Sequence, residues 1–515
     1  MRLPSVAIAL LVAAPILTLT FSWVSIDAQL WLHLWETQLP QLVANTLLLL
    51  GGVAVGVSLI GVTSAWLVTA YDFPGRRFFE LAMLLPLAMP AYVLAFVLLG
   101  VTDFGSPLQG WWSSTFGVAQ IDVRRPFFVI AVLSLVFYPY VYLLARTAFK
   151  LQGLRTMEAA RTLGMSPLRS FFTIVLPMSR PAIFAGVSLA LMETLADFGA
   201  VSVFNYNTLT TAIYKAWSGF YSLQTASQLA SLLLLFVALV VIGERLSRKG
   251  KYSEQAIPPK RRVLSGGRRL SAVAWCSSIV LVAFILPVVQ LLHWGASRIE
   301  YFDMNQLSAL LGKTFLIGFI AAIASVFVAS TAVAARFFAN SNGLRFIQSF
   351  SGLGYALPGS VLAVGIMLVA TQLDHWLGKS LLMGSFIVLI LAYVIRFYAV
   401  AAGPMDAAAS KLKPSVIEAA KLFGLGRLQQ WRRVMQPLLM PGTSVALLMV
   451  MVDVMKEMPA TLLLRPFGWD TLAVKIYEFT SEGDWDLAAI PALILILLSL
   501  IPMVYLMRKI EGEET

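Results

Sequence analysis

Glu193 and Asp197 stand four residues apart in the apolar run ETLADFGAVSVF, and Asp453 and Glu457 repeat that spacing in DVMKEMPATLLL. Ionisable side chains in segments apolar enough to enter a bilayer are costly and point to function. A spacing of four puts each pair on one face of a helix. Carboxylate oxygens suit hard divalent or trivalent cations, so the four residues form a candidate acidic station that a metal ion occupies in passing, with no stable metal centre. The competing reading is structural: the carboxylates hydrogen-bond neighbouring helices, neutralise Lys456 or anchor irregular backbone before a loop.

Other reactive residue types offer less. Gly312-Lys313-Thr314 resembles the end of a phosphate-binding loop, but Leu307 stands where the first glycine is required. His33 and His293, 260 residues apart, and His375 fall near the ends of apolar runs and read as interfacial residues. Cys276 is the only cysteine, which excludes an internal disulfide and a cysteine metal cluster. No nucleophile with a nearby base is recognisable, so the chain is not read as an enzyme and no cofactor is expected on it.

The elements that must carry these residues are membrane helices. Of 515 residues, 59% are hydrophobic and 12% charged, and the mean hydropathy is +0.82. Twelve apolar stretches are long enough to cross a hydrocarbon core of about 30 Å: 5–24, 42–70, 78–102, 126–148, 180–204, 226–246, 273–295, 311–337, 345–371, 381–403, 440–463 and 487–507. The first is read as an uncleaved span, because no small-residue cleavage pattern closes it. The expected fold is an all-α polytopic membrane protein embedded in the lipid bilayer.

The formal charge of +12 does not indicate nucleic acid. Lys and Arg concentrate in alternate loops, notably 244–270 and the stretch holding Arg146, Lys150, Arg155, Arg161, Arg169 and Arg180, while 25–41 has none. The positive-inside rule then places both termini and these basic loops in the cytoplasm. Arg124 and Arg125 are a mild exception on the outer side.

The chain repeats itself. Glu158-Ala159-Ala160, Gly164 and Pro177 recur as Glu418-Ala419-Ala420, Gly424 and Pro437, and Glu193 and Asp197 align with Asp453 and Glu457, all at an offset of 260. Upstream the offset is 268, matching Thr46 to Thr314 and Pro90 to Pro358. Two parallel six-span repeats follow, related by an axis along the membrane normal. The expected division is a first transmembrane half at 1–247, a polar and basic cytoplasmic linker at 248–270 and a second half at 271–515.

Between spans four and five stands EAARTLGMSPLRSFFTIVLP, and between spans ten and eleven EAAKLFGLGRLQQWRRVMQP. Each reads as a pair of short helices on the membrane face: the Glu-Ala-Ala run favours helix, the glycine suits a C-terminal cap, and Ser166-Pro167 restarts a helix. In the second copy Ser415 and Glu418 also have the spacing of a capping box; Arg155 occupies the matching place in the first. The pattern E-A-A-x3-G-x9-I-x-L-P resembles the signature loop of binding-protein-dependent ABC importer permeases. The first copy matches every fixed position, and the second departs at Val434 and Gln436.

That resemblance implies the type I importer permease fold, located in a bacterial inner membrane. It implies that Glu158, Ala159, Ala160, Gly164, Glu418, Ala419, Ala420 and Gly424 couple the chain to two copies of a cytoplasmic ABC ATPase, which bind the ATP and Mg. It also implies a periplasmic substrate-binding protein as a partner, with Glu193, Asp197, Asp453 and Glu457 along the translocation pathway. The strings ETLADFGAVSVF, LTTAIYKAW and DVMKEMPATLLLRPFGWDTLAVKIYEF, with the fused layout, are similar to ferric-iron importer permeases, so Fe(III) is the expected substrate. Fused permeases for thiamine, phosphonate or polyamines share part of this likeness. An ion-coupled secondary transporter also fits six plus six spans, but would have no use for two docking loops.

Overall fold

In the computed structural model, described for residues 2–26, 28–117, 121–150, 160, 162–247, 261–301, 303–338, 342–410, 412 and 414–512, nearly every element is a helix. Ten helices are long and apolar enough to cross a membrane: Ser5–Val24, Leu39–Ala70, Pro126–Ala148, Pro167–Ala196, Leu223–Ser247, Gly266–Arg298, Met304–Arg336, Gly359–Leu377, Phe386–Ser410 and Arg427–Lys456. An eleventh is broken: Arg76–Ala88 and Ala91–Val101 meet at 87°. The last of the twelve expected stretches falls on the helix Ala489–Gly512, whose side chains are described over Ala489–Val504.

Two of the expected straight spans are therefore bent. In the first half the helix gives way at a 3-10 turn, Leu85–Ala88, and in the second Asn342–Ser351 and Gly359–Leu377 are joined by another, Gly352–Ala356. The physical cause is proline. Met89 before Pro90 and Leu357 before Pro358 are held extended, at ψ 119° and 124°, as the ring of a following proline demands.

The sequence halves are not separate packing units. The first helix, Arg2–Phe21, lies on Gly359–Leu377 and Asn342–Ser351 of the second half, approaching so closely that a side chain at Gly365 would collide with Pro15. Reciprocally, Gly266–Arg298 packs on Ala489–Gly512 and reaches Ala91–Val101, Trp275 donates to Ser64 Oγ at 3.1 Å, and Cys276 is buried within the core of the first half. Each leading helix thus embraces the opposite half.

Of the linker expected at 248–270, residues 261–270 are described. The helix Leu223–Ser247 precedes it, residues 248–260 lie outside the described residues, and Arg262–Val263 pairs in parallel with Tyr71–Asp72. The next helix already begins at Gly266.

Candidate functional site

A cavity of about 550 Å³ opens between the halves, and Glu193, Asp197, Asp453 and Glu457 all line it. Arg396 and Lys456 are its other charged residues, and Tyr92, Tyr140 and Tyr355 contribute to the wall. The repeat delivers the carboxylates there: the helices Leu176–Ala196 and Gln436–Lys456 occupy equivalent places, each followed by a sharp break and a short helix, Gly199–Val203 or Pro459–Leu464.

The expectation that each pair shares one helix face is corrected. The helices end at Ala196 and Lys456, so Asp197 and Glu457 lie just past them in extended conformation, at ψ 119° and 114°. Pro459 opens the following helix in the second half. The carboxylates hold the breaks in place. Asp197 Oδ1 accepts from the Ala200 and Val201 amides at 2.9 and 3.2 Å, and Glu457 Oε1 accepts from the Ala460 amide at 3.1 Å. Ala200 and Ala460 are themselves 260 apart, so the two halves use one capping device. Glu457 Oε2 also faces Arg396 Nε at 3.3 Å.

Glu193 and Asp453, one turn deeper, differ from this pair. Glu193 Oε1 accepts from the Tyr355 hydroxyl at 2.7 Å, a bond that crosses between the halves. Asp453 makes no hydrogen bond or ion pair among the described residues. Lys456, which the competing structural reading sets against the carboxylates, donates to the Leu87 carbonyl at 3.1 Å, also across the halves. Leu87 and Tyr355 occupy equivalent positions of the repeat, both in the 3-10 turns that break the helices. No three His, Cys, Asp or Glu side chains among the described residues are placed to hold a metal ion.

At the other functional region, Glu158 and Ala159 lie outside the described residues. Ala160 is buried, as is Ala420, and the backbone of Ala419 is helical within Pro414–Leu422. Gly164 and Gly424 adopt left-handed conformations, at φ 81° and 70°, which glycine enters without steric penalty. The Met165 and Leu425 amides close the turns on the Ala160 and Ala420 carbonyls at 3.1 and 3.2 Å. Glu418 is exposed. Ser415 is not its cap: Pro414 opens the helix, so Ser415 is already inside it.

The second member of each expected helix pair is not a separate surface helix. Ser166 caps it in the first copy, accepting from the Arg169 amide at 3.4 Å, but the helix runs on through a π turn, Phe171–Val175 or Trp431–Met435, into a 30-residue span. The Glu-Ala-Ala loop thereby leads directly into the helix that carries Glu193 or Asp453. Leu163 and Leu168 in one copy and Leu422, Phe423 and Leu428 in the other are strongly exposed.

Arg396 and the three tyrosines escaped the sequence reading. Arg396 lies in an apolar run whose counterpart residue is Val136, and an unmatched arginine within a span was the available signal. Gly312-Lys313-Thr314 is resolved as structural. It lies within the helix Met304–Phe338, where Thr314 Oγ1 accepts from the Leu472 amide at 2.9 Å and Lys313 donates to the Gly468 carbonyl at 2.8 Å.

Comparison with known proteins agrees with the repeat. The Fe(3+)-transport system permease protein FbpB 2 of Haemophilus influenzae is 30% identical over 485 residues, covering 92% of this chain and 91% of its own. The molybdenum transport system permease protein ModB of Escherichia coli is 30% identical over 226 residues, covering 41% of this chain and 91% of its own. The sulfate transport system permease protein CysT of Salmonella typhimurium is 32% identical over 176 residues, covering 33% of this chain and 62% of its own. Residues 57–249 and 323–511 each match one family. With two such regions and a relative alike from end to end, the chain belongs to the binding-protein-dependent transport system inner membrane components, the ABC importer permeases, and carries that permease domain twice.

Proposed function

We propose that this permease imports ferric iron. On this reading a periplasmic binding protein delivers the ion, two ATPase subunits dock at Glu158–Gly164 and Glu418–Gly424 from the cytoplasm, where both termini also lie, and the acidic cavity lies on the route. The observation that carries the substrate class is the wall of that cavity: four carboxylates against two cationic side chains. A low-dielectric wall with excess negative charge concentrates cations and repels oxyanions such as sulfate and molybdate, and hard cations favour carboxylate and phenol oxygens. The end-to-end likeness to a Fe(3+)-transport permease supports the same choice.

The coupling assignment rests on geometry. The exposed apolar residues of the loops offer surface to a partner, and the continuous helices Pro167–Ala196 and Arg427–Lys456 link that surface to the cavity. Closure of an ATPase dimer would therefore act on the carboxylates through one rigid element per half.

The test is uptake in proteoliposomes holding the chain, its ATPase and its binding protein. ATP-dependent uptake of radioactive Fe(III), with none of sulfate, molybdate or thiamine offered on their own binding proteins, is the expected result. Oxyanion or thiamine uptake instead overturns the substrate, and uptake without any ATPase overturns the coupling.

A further inference from the structure

Asp453 and Lys456 occupy the last turn of the helix Gln436–Lys456 at a spacing of three, so both side chains leave one face of it, and both line the cavity. Their bonding is unusually sparse. Asp453 has no hydrogen bond or ion pair among the described residues, and the sole hydrogen-bond partner of the Lys456 ammonium there is a single carbonyl, that of Leu87. The other charges of the wall are committed. Arg396 is held by Glu457 and donates to the Leu357 carbonyl at 2.7 Å, Asp197 and Glu457 cap short helices, and Glu193 accepts from Tyr355. The Tyr92 hydroxyl, on a residue only 5% exposed in the same wall, has no hydrogen-bond partner among the described residues. Among the described residues one carboxylate and one phenol oxygen are therefore uncommitted, with one singly bonded cation beside them.

We propose that Lys456 is the resident cation of this cavity: held on the Leu87 carbonyl, its ammonium balances Asp453 and Glu193 in the cargo-free protein, and a hard cation entering the cavity competes with it for those carboxylates. This rests on the reading of the permease as a carrier of ferric iron and adds a residue that sets how weakly the cavity holds it. Uncompensated buried carboxylates are strongly unfavourable, so an empty acidic passage needs a substitute charge. A lysine suits that role because its ammonium is a point charge on a flexible stem, whereas arginine locks into planar pairs. The device is one-sided. The repeat places Ala196 where Lys456 stands, so a single lysine serves both halves, and the cargo exchanges with one tethered charge.

Terbium(III), a hard trivalent ion whose luminescence is sensitised by nearby tyrosines, is the probe, titrated into the full chain in lipid nanodiscs. Tyr92, Tyr140 and Tyr355 supply the antenna. The wild type should bind weakly, K456Q about tenfold more tightly because a competing charge at close range is gone, K456R as weakly as the wild type, and K456Q/D453N without the gain. Equal affinity in wild type and K456Q, or a gain that survives D453N, overturns the proposal. Should K456Q fail to assemble, D453N alone decides: it should weaken terbium binding, and unchanged binding overturns the proposal. Ferric uptake by the wild type, measured in parallel, separates the layers. Uptake with an unchanged terbium affinity removes only the role of Lys456, whereas absent ferric uptake removes the reading beneath it.

Discussion

Arg396 Nε lies 3.3 Å from Glu457 Oε2, with both side chains less than a tenth exposed. The pair joins the helix Phe386–Ser410 to the break after Lys456, and through Leu357 it reaches the bend before Gly359. Removing one member of a buried ion pair leaves the other uncompensated and costs about 3–5 kcal/mol. R396M should therefore lower the melting temperature of the purified protein sharply, and R396M/E457Q should recover part of the loss. A thermal shift no larger in R396M than in the double variant would remove the pair from the list of structural ties. G359A should act in the same direction, because a methyl group there would press on Glu457 Oε1.

Thr46 and Thr314, matched by the repeat, do equivalent work. Each hydroxyl accepts from the first amide of a short helix, Leu209 at 3.3 Å and Leu472 at 2.9 Å, and both threonines are buried. T314V keeps the shape and removes the acceptor, leaving a buried amide unsatisfied at about 1–3 kcal/mol. Amide hydrogen exchange over Leu472–Glu482 should quicken in T314V, and over Leu209–Ser218 in T46V, with little crossover between them.

Outside the spans, on Leu472–Glu482, Glu478 accepts from Arg465 at 3.0 Å and Lys475 at 3.1 Å. Burial alone would raise its pKa, but these hydrogen bonds and charges outweigh it and the carboxyl lies below its ordinary value. A carboxyl depressed in the folded state adds stability above its unfolded value, about 4.3, and the contribution disappears as pH falls through the folded value. Protection of this helix from exchange should thus fall on acidification below about pH 4.3 in the wild type, and E478Q should show lower protection at neutral pH with a flatter acid limb. Identical acid limbs would refute it.

How far the sequence reveals these features depends on which interaction decides each one. The spans follow from bilayer thickness, a local constraint, and the repeat is visible because paired residues such as Glu193 and Asp453 kept their chemistry at a fixed offset. The ends of the carboxylate helices were not legible. Glu193 and Asp197 look like one helical face, and only the amides of Ala200 and Val201 show that Asp197 serves a break. Swapping of the leading helices was equally hidden, since the approach of Pro15 to Gly365 is a contact between residues 350 apart. Arg396 was in plain view within a span, but its partner Glu457 is brought to it by tertiary packing alone.

The Glu-Ala-Ala loops carry apolar side chains that no described residue covers: Leu163 is 83% and Phe423 84% exposed, at equivalent places beside the left-handed glycines. Serine at both positions should leave thermal stability within about 0.5 kcal/mol, as surface changes do, while ATP-driven uptake falls steeply and ATP hydrolysis ceases to respond to the binding protein. Retained coupling in L163S/F423S would locate the ATPase contact elsewhere.

The four carboxylates divide by what they bond, and that division yields a test of the proposed route. Asp197 and Glu457 satisfy the opening amides of short helices, so D197A should cost about 1 kcal/mol as a lost cap and lower stability whether or not cargo is present. Glu193 and Asp453 satisfy no backbone amide, and E193Q and D453N keep the size of the side chain while removing its charge. These two variants should therefore keep both helix breaks intact but lose ferric uptake, with the double variant E193Q/D453N the most severe. Their ATP hydrolysis, stimulated by the loaded binding protein, should persist, because the docking loops are untouched. If E193Q/D453N transports iron at the wild-type rate, the acidic wall serves the fold alone and the route lies elsewhere between the halves.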